Sequence, residues 1–459
     1  MSLNETLIEQ HDALMAALQS EDSEQVESLL QEMRAADIAE ILEHIAEEEE
    51  HRKTVFALLA NLSIERRAHI IGYLPEDLQE ELAGEMSDET LLSVMEEMSA
   101  DERADLFKLL DEDRREGLLR RMARQEREDL KRLASYEEGT AGAIMTSDYV
   151  AIPSGMTVSQ AMMRVRQTAP DAETVYQLYV IETDGRLAGT LSLRQLMVAR
   201  PGARVDDIMI RDVISIPVDE LQEEVARVVA RYDMLAVPVL DADERLVGII
   251  THDDAMDVAE EEATEDMHKG VSVGKLEGGL RSASLFELYR KRIVWLVLLV
   301  FANIFSGAGI AYFEETIEAY IALVFFLPLL VDSGGNAGSQ AATLMVRGMA
   351  TGDVRSRDWA RLLGREVFVA LGLGLTMALA VSVVGVFRAG TEIAMVVAMS
   401  MVLIVIVGSL IGMILPFILN RLGWDPATAS APLVTSIADA SGVLIYFALA
   451  TAVLGLPGG

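Results

Sequence analysis

One carboxylate, Asp439, stands inside an apolar stretch of membrane-spanning length, in the run A-P-L-V-T-S-I-A-D-A-S-G-V-L-I-Y-F. A charge at that depth costs about 3 kcal/mol on insertion scales, so such a residue is ordinarily kept to meet an ion or a proton. A structural hydrogen bond to a neighbouring helix, or a place at the membrane interface, are the alternatives for Asp439. A second polar run interrupts another apolar stretch: Asp332-Ser333-Gly334-Gly335-Asn336-Ala337-Gly338-Ser339-Gln340. Polar or non-helical backbone at that depth must face protein or water, where it can offer oxygens to an ion. Close helix packing would explain the glycines alone. It does not explain Asn336 and Gln340, four residues apart on one face.

A third group of chemistry-bearing residues lies before the apolar region. Asp253-Asp254-Ala255-Met256-Asp257, followed by Glu260-Glu261-Glu262 and Glu265-Asp266, reads as an acidic helix. Spacings of three and four place Asp254, Asp257 and Glu261 on one side, and Glu262, Glu265 and Asp266 on another. A solvated helix face is the ordinary reading. Like charges this close repel, however, and a hard divalent cation with oxygen ligands would relieve them.

The composition shows where these groups sit. The 459 residues carry a formal net charge of −35, yet mean hydropathy is positive. Acidic residues concentrate before about Asp266 and apolar ones after Ile293. Acidity argues for cations as partners and against nucleic acid and anionic lipid. With no cysteine, disulfides and thiolate metal sites are excluded. The start, M-S-L-N-E-T-L-I-E-Q-H-D, has neither a basic region nor an apolar core, so no cleavable signal is expected. His11, His44, His51, His69, His252 and His268 all precede the apolar region, and none pairs with a recognisable nucleophile, so no enzyme is expected.

The positioning elements fall into three blocks. Up to about Leu133, helix-start signals recur every twelve residues at Ser63, Pro75, Ser87, Ser99 and Asp111, each followed by acids and a short helical pattern. Such a period predicts a helical superhelix. From Ala143 to Glu262 the sequence is duplicated: Ile144-Met145-Thr146 recurs as Ile208-Met209-Ile210, and Gly189-Thr190-Leu191-Ser192 as Gly248-Ile249-Ile250-Thr251. Each copy reads strand, helix, strand, turn, strand, helix, and resembles a CBS domain, so the block is a tandem α/β pair. Five apolar spans follow at about 293–313, 320–346, 367–387, 393–419 and 431–454. Basic residues flank alternate ends (Lys291 and Arg292; Arg347 to Arg365; Arg421), which predicts cytoplasmic N-terminal blocks and an external C-terminus.

These motifs together resemble the MgtE family of magnesium transporters and channels. The resemblance rests on Tyr136-Glu137-Glu138, on P-L-L-V-D-S-G-G-N-A-G-S-Q-A-A-T-L-M-V-R-G, and on G-W-D-P-A-T-A-S-A-P-L-V-T-S-I-A-D-A-S-G. The expected protein is a multidomain α plus α/β membrane protein. Its blocks are an acidic helical domain (1–133), two CBS domains (134–200 and 201–262), an acidic connecting helix and linker (253–285), and a five-helix transmembrane domain (286–459).

The resemblance implies a homodimer in the cell membrane with a pore on its two-fold axis. Asp439 falls at the family's pore carboxylate, and Asn336 in its pore-lining segment; Gln340 and Asp332 join them in the same run. It also implies Mg²⁺ sensing that closes the pore, at Glu223, Asp233, Asp254, Asp257, Glu262, Glu265, Asp266 and Asp425. An ATP site would use Arg194 and Thr251, with Gln195 and Met234 standing where the family has an acid and an aromatic. Mg²⁺ sheds water reluctantly, so one carboxylate per chain suits a hydrated ion. Two further readings stay open: a transporter of another divalent cation such as Mn²⁺ or Co²⁺, and a membrane-anchored sensor of Mg²⁺ or nucleotide.

Overall fold

The computed structural model describes residues 3–20, 23–46, 52–274 and 283–455. Of the connecting helix and linker expected at 253–285, residues 275–282 lie outside the described residues. The chain divides into two compact units between Glu260 and Glu261.

The first unit begins with short helices, among them Ile64–Gly72, Glu76–Glu85, Asp88–Glu97, Ala100–Leu109, Glu112–Arg121 and Arg124–Leu133. The twelve-residue signals are their caps. Ser63 Oγ accepts from the Arg66 N–H (3.3 Å), and Ser87 Oγ from the Thr90 N–H (3.2 Å). Pro75, Ser99 and Asp111 hold the same position without a side-chain cap bond. The carbonyls left at helix ends are closed from a distance: Arg67 donates to the carbonyls of Leu59 (2.8 Å) and Ala60 (2.6 Å), and Arg114 to those of Ala83 and Met86. Each turn buries its apolar residues on a shared core that includes Ile70, Leu82, Leu91, Leu106 and Leu118.

The duplicated block forms two three-stranded sheets, β1-β2-β3 and β4-β5-β6. β1 is Tyr149–Pro153, β2 Thr174–Ile181 and β3 Leu187–Ser192; β4 is Ile216–Pro217, β5 Ala236–Leu240 and β6 Leu246–Thr251. In each sheet the first pairing is parallel and the second antiparallel. The copies exchange their leading segments. Thr146, which precedes the first copy, bridges Ile249 on β6, while Ile210, which precedes the second, bridges Thr190 on β3. Gly189 and Gly248 permit the crossing. A Cβ at Gly248 would lie 2.6 Å from the Met145 sulfur and 2.9 Å from the Thr146 carbonyl oxygen; one at Gly189 would lie 2.7 Å from the Met209 sulfur and 2.8 Å from the Ile210 oxygen.

A helix from His252 to Gly270 carries the acidic run and crosses the division between the units. In the second unit, Leu285–Tyr312, Trp359–Arg421 and Ala431–Leu454 are long and apolar enough to cross a membrane. The helical run Trp359–Arg421 is 63 residues long and is broken at Gly390, whose φ is 83° and ψ 173°. The remaining long helix, Ala322–Ala350, holds the polar run.

That polar run differs from an interrupted span. It is continuous helix, because its small residues are used for packing: Ser333, Gly334, Gly335, Ala337 and Gly338 are buried. A Cβ on Gly408 would lie 2.2 Å from the Gly334 oxygen, and one on Gly412 1.9 Å from the Gly338 oxygen. The backbones of two helices therefore touch, as glycine pairs permit in apolar surroundings. Leu323, Phe326, Val397, Ile404, Tyr446 and Phe447 fill the core between these helices.

Candidate functional site

On helix Ala322–Ala350, Asp332, Asn336 and Gln340 follow one another at four-residue spacing, and all three are exposed. They form a polar stripe about 12 Å long at 1.5 Å per residue. The opposite side of the same helix holds the buried glycines, so burying the small residues turns the polar ones outward. Asn336 Nδ2 donates to Asp332 Oδ2 at 2.9 Å.

Helix Ala431–Leu454 packs beside this stripe. Ser339 Oγ lies 3.1 Å from Thr435 Oγ1 and 3.3 Å from the Ala431 carbonyl oxygen, to which it donates. Gly335 sets the approach: a Cβ there would meet Thr435 Cγ2 at 2.8 Å and Asp439 Oδ1 at 3.4 Å. Asp439 thus stands at the edge of the stripe, with its Oδ1 buried and without a hydrogen-bond partner. The structure brings Asp332, Asn336 and Asp439 into one neighbourhood, with Gln340 one turn along.

The expected sensing residues separate into two groups. In the first unit, Asp254 accepts from the Thr251 hydroxyl (2.5 Å) and N–H (3.3 Å) at the start of the acidic helix. Burial pushes Asp254 up to about 7, helped by the charges of Asp101 and Asp253. Asp257 is raised by burial and by Asp253 and Glu260. Glu223 accepts from Arg227 Nη2 at 2.8 Å. Asp233 ends helix Gln222–Tyr232 in the left-handed region, at φ 50°.

In the second unit, Glu262, Glu265 and Asp266 continue the acidic helix. Lys269 Nζ bridges Glu265 and Asp425, donating to Asp425 Oδ2 at 2.6 Å. Burial alone would depress the ammonium, but its hydrogen bonds to Asp425 and Glu265 raise it instead. Asp425 also accepts from the Ala427 N–H (2.8 Å), capping the turn before the last helix. For the nucleotide pair, Arg194 is exposed, while Thr251 is buried and held by Asp254. Gln195 makes the corresponding capping box in the first copy, accepting from the Ser192 N–H at 2.7 Å.

Sequence reasoning missed a cluster that only the fold assembles. Asp101 and Glu102 open helix Ala100–Leu109; the charge of Asp101 acts on Asp254, and both charges act on Glu173, just before β2. Burial pushes Glu173 up to about 7, with Asp101, Asp254, Glu102 and Asp148 adding to the shift. Burial also raises Asp101 and Glu102. Asp148 is raised by burial against the pull of Arg103, 3.8 Å away. Asp101 Oδ1 is buried without a hydrogen-bond partner. In the sequence Asp101 resembles every other first-turn acid of the array, so nothing local marks it. Among the described residues, no three acidic or histidine side chains form a ready metal cage.

Comparison with known proteins follows the same division. A family profile described as divalent cation transporter matches residues 327–449. One described as MgtE intracellular N domain matches 33–139, and the CBS domain profile matches 141–202 and 205–261. The chain is 45% identical over 329 residues to the magnesium transporter MgtE of Thermus thermophilus, covering 72% of this chain and 73% of that one. It is 38% identical over 332 residues to that of Bacillus subtilis, covering 72% and 73%. The crystal structure of the cytosolic domain of the Mg²⁺ channel MgtE in complex with ATP is similar at TM-score 0.50 and 37% identity, covering 54% of this chain and 99% of that one.

Proposed function

From the premise that this chain belongs to the MgtE family of magnesium transporters, transporters rather than enzymes, we propose that it passes Mg²⁺ as the hydrated ion along the stripe Asp332–Asn336–Gln340 beside Asp439. One observation carries this: an apolar helix exposes three polar side chains in a row, next to a carboxylate with an unpartnered oxygen. Such a face cannot meet lipid. A second copy of the chain would cover it and would double the carboxylates around a water-filled path. That arrangement suits an ion that keeps its water, because the waters need acceptors and the ion needs a few diffuse negative charges.

The membrane topology follows from the same reading. Breaking the long helix at Gly390 makes five crossings, with the first 285 or so residues in the cytoplasm and the C-terminus outside, in the cell membrane. Within it, an N-domain up to about 133, two CBS domains and a connecting helix precede the membrane block.

Closure by intracellular Mg²⁺ is the regulatory half of the proposal. Asp101 fits as a ligand, since its buried Oδ1 has no partner and sits in the field of Asp254 and Glu173. A divalent ion there would offset the burial and the mutual repulsion that raise these carboxyls, and would hold the helical domain against the CBS pair. Glu262, Glu265, Asp266 and Asp425 would serve the connecting helix in the second unit, and Asp257, Glu223 and Asp233 would serve as ligands in the first. ATP, carried by the crystallised relative, would meet Arg194 and Thr251 here. Gln195 offers it an amide already used in a cap.

The test is Mg²⁺ influx into proteoliposomes, native against Asp439→Ala at matched insertion. Loss of flux in the variant is the expected result. Equal flux in both would remove the path from Asp439, and flux in neither would favour another ion or a sensor.

A further inference from the structure

The pairing of Asp332 with Asn336 gives the stripe a chemical direction. A primary amide has two faces: Nδ2 donates twice and Oδ1 accepts. An ionised carboxylate only accepts, so the amide atom 2.9 Å from Asp332 Oδ2 is the nitrogen. With its nitrogen so tied, Asn336 turns its carbonyl oxygen away from Asp332. The two residues are one helical turn apart on an exposed face, and the neighbouring helical positions, Ser333, Gly335 and Ala337, are buried against other helices. The oxygen is thereby left as the free end of the amide on the exposed side of the helix.

A hydrated divalent cation presents the hydrogens of its waters outward. A wall that binds it must offer acceptors, and an unrestrained amide offers a donor about as readily. We propose that Asp332 is a positioning residue: its carboxylate locks the Asn336 amide so that the path meets an acceptor oxygen rather than an N–H group. This inference rests on the ion-path reading above and assigns Asp332 a role through Asn336, distinct from contact with the ion. The four-residue spacing fits this role, since i, i+4 neighbours on a helix lie on one face within reach of each other.

The experiment is initial Mg²⁺ influx into proteoliposomes as a function of external Mg²⁺, for the full chain and for Asp332→Ala, Asp332→Asn, Asn336→Ala, the double variant Asp332→Ala/Asn336→Ala, and Asp439→Ala. Insertion is matched, and monodispersity in detergent confirms folding. A hydrogen bond to a charged group, once lost, is worth about a tenfold change. Asp332→Ala is therefore expected to raise the half-saturating Mg²⁺ about tenfold, with maximal flux changed less than about twofold. Asp332→Asn can pair with either end of the Asn336 amide and so no longer fixes its orientation; it should lose most of what Asp332→Ala loses. In the Asn336→Ala background, removing Asp332 should add little. If Asp332→Asn behaves as the native chain, or if the two alanine effects multiply, Asp332 does not act through the Asn336 amide and the positioning role is overturned. If Asp439→Ala retains native flux, the ion-path reading itself fails, whichever way the Asp332 variants behave.

Discussion

Neutralising Asp254 tests the acidic cluster where its sign is least intuitive. In the folded, metal-free protein burial and the charge of Asp101 hold Asp254 at about 7, against an ordinary 3.8. A shift of roughly three pH units corresponds to about 4 kcal/mol. Solvent reaches this half-buried group, so about 2 kcal/mol is the better figure. Between pH 4 and 7 the folded chain holds a proton that the unfolded chain has lost, so stability falls as pH rises through that window and is lowest above it. Glu173, pushed from 4.5 up to about 7, adds in the same direction. Asp254→Asn removes the penalty and keeps an acceptor for Thr251, at a loss of about 0.5 kcal/mol of helix-dipole interaction. The assay is thermal unfolding of residues 1–274 in chelator at pH 5 and pH 8; a relative's cytosolic domain of similar extent was crystallised on its own. The variant should melt about 3–6 °C above native at pH 8, and no higher than native at pH 5. Ten millimolar Mg²⁺ should raise the native midpoint at pH 8 and raise the variant's less. A native midpoint flat from pH 5 to 8, or a variant that melts lower at pH 8, would refute the reasoning, because Asp254 would then be only a cap.

Two further perturbations address the remaining joints. Gly248→Ala puts a Cβ 2.9 Å from the Thr146 oxygen, where the exchanged segment is hydrogen-bonded to Ile249; a loss of about 1–3 kcal/mol is expected, read by urea unfolding of the same soluble part, and an unchanged midpoint would mean the crossing is not rigid. Lys269→Gln leaves Glu265 and Asp425 without the ammonium that joins them. In limited proteolysis of the full chain in detergent, cleavage after the acidic helix should speed up in chelator and return to the native rate in millimolar Mg²⁺; equal rates in chelator would exclude Lys269 as the joint.

How much of this was legible before folding depends on range. The helix starts at Ser63 and Ser87 could be read because capping is local chemistry. The start at Ala123, which has no capping oxygen, could not. The CBS strands were visible as a repeat, but the exchange of Thr146 and Ile210 between copies was not, since a tandem alignment pairs each segment with its own copy. The repeat marks Gly189 and Gly248 as equivalent, and the fold supplies the steric reason, since each faces the exchanged segment. In the membrane block, the polar run was recognisable as exceptional. Its conformation was not, because glycine is a poor helix former until another backbone packs against it. The Asp101–Glu173–Asp254 cluster joins positions 72 and 81 residues apart, a distance no local pattern spans.

The two acidic neighbourhoods differ in a way that bears on how one ion could serve both. In the first unit, Asp101, Glu102, Glu173 and Asp254 converge, and burial raises each. Their mutual repulsion is stored in the folded state and is released only by a charge of opposite sign placed among them. On the proposed reading a cation there would be bound in proportion to that repulsion, so occupancy would follow its concentration and bias two arrangements of the domains. Along the membrane helix the carboxylates are few and separated by amides, Asp332 bonded to Asn336 and Asp439 on the adjacent helix. Only Asp332 and Asp439 oppose each other there, against four carboxylates in the first unit, so an ion would gain less by stopping. A site that senses must hold the ion, and a path that conducts must let it go. The crowding of carboxylates in one unit and their spacing by amides in the other supply that difference with the same residue types.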